Sequence, residues 1–365
     1  MDPQEAFCLN LHCPARGQKG KGNIRIHSHK EQRYSCTVCH TTFSARKGTI
    51  FYRCRVAAET IILVLTLLAH GCPIGAISAA FGFQRRTVKG WMEAAGMHCE
   101  QVHRQQVLQP RDLGQVQADE LRVKFQGKRI LWLAMAIMVP TRLWLGGVIA
   151  PCRDQGLIDH LAGLVRACAT PAPLLIAVDG LAAYVGAFTR ALRSPEHKGK
   201  VGRPRLVAWS GVVLGQVIKQ YRKRRVVGVV RRLVQGTEEE LAQLIATTQG
   251  MGVLNTAYIE RLNASFRALL APLTRRTRSL LRRQQLLHAG MYLVGTVYNF
   301  CSYHASLTGD GGGQVTPAMA AGITDHRWSV GELLWYRIPP SPWRPPEKRG
   351  RRSRALQLLI ERWAS

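Results

Sequence analysis

The chain has 365 residues, with 51 Lys and Arg against 22 Asp and Glu, a formal net charge of +29 and a pI near 10.6. Such an imbalance lies far outside the range of an ordinary soluble enzyme and asks for a polyanionic partner. The longest uncharged apolar runs, residues 61–69 and 130–140, are too short to span a bilayer, so the expected partner is nucleic acid and not a membrane. No apolar stretch of signal-peptide length opens the sequence, and the expected location is cytoplasmic and nucleoid-associated.

Residues 1–52 are polar, rich in Gly, Lys and His, and lack the periodicity of a helical core. Cys8 and Cys13 enclose four residues, Cys36 and Cys39 enclose two, and 22 residues separate the pairs. In a reducing compartment that spacing suits one tetrahedral four-thiolate Zn²⁺ site, whose binding would supply much of the folding free energy of a segment with so few large apolar residues. His12, His27, His29 and His40 are competing ligands. The other six cysteines are scattered and are expected to be small buried hydrophobes.

Residues 53–108 carry helical patterns broken at Gly71-Cys72-Pro73 and at Gly82, predicting three short helices. In PIGAISAAFGFQRRTVKGWMEAAG, apolar Ile74, Ile77, Phe81, Val88 and Trp91 take helix-turn-helix spacing, with Gly82 in the turn. The second helix then exposes Gln84, Arg85, Arg86 and Lys89 to a DNA major groove.

Residues 109–305 alternate strand and helix patterns, predicting an α/β domain with a mixed sheet flanked by helices. Three β-rich stretches between Gln115 and Ala150 form a meander. A helix over residues 154–169 leads into a buried strand, LLIAV, that ends at Asp179. A Gly/Pro/Lys-rich loop is expected over residues 193–205, then a basic strand, and one long helix over residues 256–290. Asp119 lies within the first strand, Asp179 at a strand's carboxyl end and Glu260 near a helix start, where three carboxylates could converge on Mg²⁺ or Mn²⁺. Glu120 adjoins Asp119, and alternation along a strand sends only one of the two to a given face. Asp179-Gly180 also suits a strand end or a helix cap, and Glu260 suits a helix amino terminus. Residues 306–365 end in a Pro- and Arg-rich stretch, 339–354, with the composition of a flexible arm.

The paired cysteines, the helix-turn-helix pattern and the blocks QADELRVKF, IAVDGLAAY and NTAYIERLNASFRALLAPLTRRTRSL together resemble insertion-sequence transposases of the DDE type. The likeness runs from about Cys8 through TPAMAAGIT and WSVGELLWY. It implies a zinc ribbon, a helix-turn-helix and a ribonuclease H-like catalytic core. Asp119, Asp179 and Glu260 match the catalytic triad and would bind two Mg²⁺ (or Mn²⁺) ions. Mg²⁺-dependent hydrolysis at the element's ends, then attack of the freed 3′-hydroxyl on target DNA, would follow. Double-stranded DNA, at transposon ends and target, is the implied partner, with a homo-oligomer holding two ends. Helical spacing places Asn263 and Arg267 beside Glu260 as supporting residues.

Glu260 follows Asp179 by 81 positions, longer than in the simplest members, and the interval includes KQYRKRRVVGVVRR with no acidic residue. An insertion or an extra strand is expected there, with Arg222, Lys223, Arg224 and Arg225 meeting phosphate. Arg275, Arg276 and Arg278, with Arg282 and Arg283, are expected to follow the DNA backbone. The alternatives are a nuclease of the same fold that does not join strands, and a DNA-binding repressor or inactive transposase derivative.

Overall fold

The computed structural model describes residues 2–127, 129–197, 199, 202–223, 225–275, 280–309, 312–347 and 350–364. Of the expected DNA contacts, Arg224, Arg276 and Arg278 lie outside these residues. The chain divides into two compact units, one of residues 1–58 with 334–365 and one of residues 59–333.

The first unit contains a three-stranded antiparallel sheet, β1 (Ile24–Ser28), β2 (Arg33–Cys36) and β3 (Thr42–Ser44), in the order β1-β2-β3. Its core is small: Ala6, Ala15, Ile24, Tyr34 and Phe43 pack around Cys8, Cys13 and Cys36. The C-terminal helix (Arg354–Trp363), capped by Ser353 Oγ on the Leu356 N–H, adds Trp363 to that core, where it is 3% exposed. The stretch expected to be a free arm is anchored over its described residues 339–347. It is largely irregular, yet Arg16 donates to the carbonyls of Ser341 (2.7 Å) and Pro342 (2.9 Å), and Gln18 donates to the Trp363 carbonyl (2.8 Å). Local composition marked the segment as irregular, but the long-range contacts that hold it have no local signature.

The second unit opens with α1 (Ala58–Ala69), α2 (Ile74–Phe81) and α3 (Arg85–Gln106). The third helix is long, not short. Its Gly96 permits contact with a later helix: a Cβ there would sit 2.3 Å from the Ala289 Cα and 2.5 Å from its carbonyl oxygen. Backbone cannot swing aside as a side chain does, so Gly96→Ala is expected to destabilise the unit by about 3 kcal/mol despite alanine's better helix propensity. An unchanged urea midpoint for Gly96→Ala would refute that close packing.

Next come β4 (Gln115–Lys124), β5 (Ile130–Met138), β6 (Trp144–Ala150), α4 (Gln155–Cys168), β7 (Leu174–Asp179), α5 (Ala182–Ala191), β8 (Arg193–Glu196), β9 (Arg205–Ala208), β10 (Val212–Arg222), β11 (Arg225–Gln235) and α6 (Glu238–Gln249). They are followed by α7 (Ala257–Leu269), α8 (Gln284–Phe300) and α9 (Pro317–Ala320). One mixed sheet of six strands, ordered β11-β10-β7-β4-β5-β6, forms the centre. The β4-β5-β6 meander is antiparallel, as its alternation and intervening turns predict, while β7 runs parallel to both β4 and β10. Strand β7 is an unbroken apolar run, LLIAV, because a central strand is covered on both faces. Successive residues of β6 meet helices on opposite faces, Gly146 approaching Leu164 of α4 and Gly147 approaching Met291 of α8.

Three expectations change here. The single long helix over 256–290 is two helices, with α7 ending at Leu269 before a 3₁₀ turn, Ala271–Leu273, that contains Pro272. The loop over 193–205 is bounded by a two-stranded hairpin of β8 and β9. Helix α6 was not foreseen, although Thr237 and Glu240 form a reciprocal capping box at its start. No helix among the described residues is long and apolar enough to cross a membrane.

Candidate metal centres and nucleic-acid interface

Cys8, Cys13, Cys36 and Cys39 come together in the first unit. Cys36 ends β2 and Cys39 follows in the turn, while Cys8 bridges to Arg16 beside the turn that holds Cys13. The Cys8 and Cys39 Sγ atoms lie 3.6 Å apart and those of Cys13 and Cys36 3.8 Å apart. Four sulfurs at 2.3 Å from a tetrahedral ion stand about 3.8 Å from one another, so the set fits Zn²⁺ by distance as well as by donor type. Burial pushes the Cys13 thiol up to about 12 and raises Cys8 as well. At Cys39 burial acts the same way, but hydrogen bonds with Thr41, Asn10 and Cys8 outweigh it and bring the thiol down to about 6. His12, His27, His29 and His40 are exposed and stand outside the cluster.

The second unit holds a cleft of about 670 Å³ lined by Asp119, Asp179 and Glu260 together with Arg153, Lys219, Arg267 and Arg275. Parallel pairing sets Gln117 of β4 opposite Ala177 of β7, and the same register carried on brings Asp119 level with Asp179. The carboxylates within 4.8 Å of one another are Asp119, Glu120 and Asp179. Glu120, admitted from sequence only as Asp119's alternative, joins it. Arg153 holds this group, donating to Glu120 Oε1 and Oε2 (both 3.3 Å) and to Asp179 Oδ2 (3.0 Å). Asp179 Oδ1 also accepts from the Leu181 N–H at 2.9 Å, so its turn-capping role and its place in the cleft coexist.

Burial, reinforced by the Asp179 and Glu260 charges, holds the Asp119 carboxyl above its ordinary value. Burial, together with the Asp179 charge, pushes Glu120 up to about 7 despite Arg153. Glu260 lies outside the close group, in the first turn of α7, where its Oε1 accepts from Lys219 Nζ (2.5 Å) and Thr256 Oγ1 (2.7 Å). Burial alone would raise its carboxyl, but these bonds and the lysine's charge hold it below the usual range.

Asn263 Nδ2 donates to Asp119 Oδ2 at 2.8 Å, while its Oδ1 is buried without a hydrogen-bond partner. Oxygen donors alone, crowded together, with one unpartnered amide oxygen beside them, fit a hard divalent cation. Gln117 was missed in the sequence and positions the third acid: its buried Oε1 accepts from the Tyr258 (2.9 Å) and Ile259 (3.1 Å) N–H groups, and its Nε2 donates to the Asn255 carbonyl (2.8 Å). One side chain thereby ties β4, two residues before Asp119, to the start of α7. Arg153 was also missed. Its place just before the Asp154 cap of α4 gave no sign that it faces two carboxylates.

The remaining basic candidates fall in three places. Gln84 precedes α3 and is exposed with Arg85 and Arg86, whereas Lys89 is half-buried. Beneath them Ile77 and Val88 are buried, and Phe83 meets Trp91 edge-on at 4.9 Å, with Gly82 left-handed (φ 70°) in the turn. Arg222, Lys223 and Arg225 are exposed at the tip of the β10–β11 hairpin. Arg275 and Arg267 line the carboxylate cleft itself. No family model matches the chain, and no curated protein matches it either.

Proposed function

We propose that the chain is a DDE-type DNA transposase. Its central sheet is taken as ribonuclease H-like, its cysteine unit as a zinc ribbon and α2–α3 as a helix-turn-helix that binds the element's ends. The observation that carries this reading is a single cleft in which Asp119, Asp179 and Glu260 meet Arg267, Arg275 and Lys219. Acidic residues number only 22 in a chain of net charge +29, and finding them gathered among cations suits a site that holds metal ions and a phosphodiester together.

Asp119 and Asp179, with Glu260 or Glu120 as a further donor, would hold Mg²⁺ or Mn²⁺. Two such ions supply activation of the attacking oxygen and stabilisation of the leaving oxygen in an in-line displacement at phosphorus. The chain's own groups do the rest. Arg267 and Arg275 attract the backbone phosphates, Asn263 fixes the Asp119 carboxylate, and Arg153 restrains Glu120 and Asp179. Arg85, Arg86 and the hairpin tip add sequence-independent attraction to double-stranded DNA. Joining two ends implies a homo-oligomer on DNA, located at the nucleoid.

One observation favours a second reading, a DNA-binding repressor or inactive derivative: Glu260 is ion-paired to Lys219 and stands apart from the close carboxylate group. The test is cleavage and joining, with Mg²⁺, of linear DNA bearing the ends of the element that encodes the chain. Joined products from the intact protein, reduced at least about 100-fold by Glu260→Gln, support the transposase. Binding without cutting or joining supports the repressor, and cutting without joining a nuclease.

A further inference from the structure

Helix α7 has two working faces. Glu260, Ala264 and Arg267 line the carboxylate cleft, whereas Tyr258, Arg261, Leu262 and Ser265 line a second cleft of about 410 Å³. Each set follows helical i, i+3/i+4 spacing, so the helix is a partition between two sites. The second cleft is completed by Arg142, Tyr298, Tyr303 and His304, and no carboxylate lines it.

Its chemistry is built, not incidental. The Arg142 guanidinium lies over the Tyr258 ring, 4.1 Å from the centroid, anchored by its bonds to the Val139 carbonyl and to Ser306 Oγ (3.4 Å). Tyr298 donates its hydroxyl to the Arg142 carbonyl at 3.0 Å. Arg142 itself holds a φ of 59°, which a residue other than glycine keeps only when its surroundings impose it. No ion pair among the described residues neutralises Arg142 or Arg261. Uncompensated guanidinium charge set among tyrosine rings matches a ligand that has both an anion and a flat π face. A volume of a few hundred Å³ suits a ligand of nucleotide size.

We propose that this cleft takes one unpaired nucleotide of the DNA strand whose phosphodiester occupies the carboxylate cleft, with its base against the tyrosine rings and its phosphate on Arg142 and Arg261. The inference rests on the DNA reading of the first cleft. The partition is one helix, about 10 Å across, a span that three nucleotides cover even at the roughly 3.4 Å rise of a stacked strand. A strand held at the carboxylates therefore reaches the tyrosines only if its end leaves the duplex, and α7 acts as the wedge around which it turns.

The experiment compares two labelled DNAs by fluorescence anisotropy against the full-length zinc-loaded protein, without added Mg²⁺: a blunt 20-base-pair duplex, and the same duplex with a three-nucleotide single-stranded overhang. The intact protein is expected to bind the overhang DNA about tenfold more tightly, the effect of roughly one base stacked on an aromatic side chain. Tyr303→Ala, at a position 45% exposed, should bring that ratio close to one without weakening blunt-duplex binding, and Arg261→Gln should also reduce it. Thermal melts check that both variants fold. Equal binding of both DNAs by the intact protein, or a preference that survives both substitutions, overturns the inference alone. Failure to bind either DNA overturns the DNA reading beneath it.

Discussion

Asp119→Asn should abolish metal-dependent strand cleavage while making the metal-free protein harder to melt. The two effects have one cause. Asp119, Glu120 and Asp179 are held within 4.8 Å of one another, and among the described residues Arg153 is the cation bonded to that group. Like charges at that separation repel, and burial deprives them of the water that would screen the repulsion. Divalent cations bound there, as proposed, would relieve this strain. An amide at position 119 keeps the shape and can still accept from Asn263 Nδ2, but removes one charge. Cleavage is expected to fall at least about 1000-fold, in keeping with loss of a group that acts in the transition state. The melting temperature of the central unit should rise by about 2 °C or more, corresponding to about 1 kcal/mol in a domain of this size. Differential scanning calorimetry with and without Mg²⁺ reads the second effect. A variant that melts lower than the parent would show that the carboxylates are structural and not a strained metal site.

The second large effect concerns the cysteine unit. Withholding zinc should leave residues 2–58 and 334–364 unfolded while the central unit keeps its structure, since the cysteine unit's own core is small. Trp363→Ala should loosen zinc binding about 100-fold although Trp363 is no ligand. Truncating a buried tryptophan costs roughly 3 kcal/mol or more, and each 1.4 kcal/mol lost from the folded, metal-binding state is about tenfold in affinity. Zinc release to a chromophoric chelator, followed alongside limited proteolysis, measures both. A Trp363→Ala protein that retains zinc as tightly as the parent would show that the C-terminal helix decorates the unit and does not complete it.

What the sequence disclosed follows from where the information lies. Cysteine spacing, the alternation of β4 to β6 and the apolar run ending in Asp179 are local patterns, and each element forms where its pattern stands. Glu120 was obscured because alternation governs where a Cβ points, not where a glutamate's carboxylate ends several bonds later. Arg153 draws that carboxylate to Asp179. The division of the expected long helix follows from Pro272, visible in the sequence but outweighed by the basic helical pattern on either side of it. Trp363 in the cysteine core and Gln117 at the start of α7 depend on contacts across hundreds of residues or between layers, which no window of sequence contains.

The cysteine unit is assembled from residues 1–58 and 334–365, and this sets an order of events during synthesis. Chains fold from the amino terminus as they are made. Cys8, Cys13, Cys36 and Cys39 are therefore translated early, yet the tryptophan that closes their core arrives some three hundred residues later. The central unit, residues 59–333, is complete in between. A nascent chain thus acquires its carboxylate cleft before its cysteine unit can close, and a chain that stops short of Trp363 would have the cleft intact and the cysteine unit open.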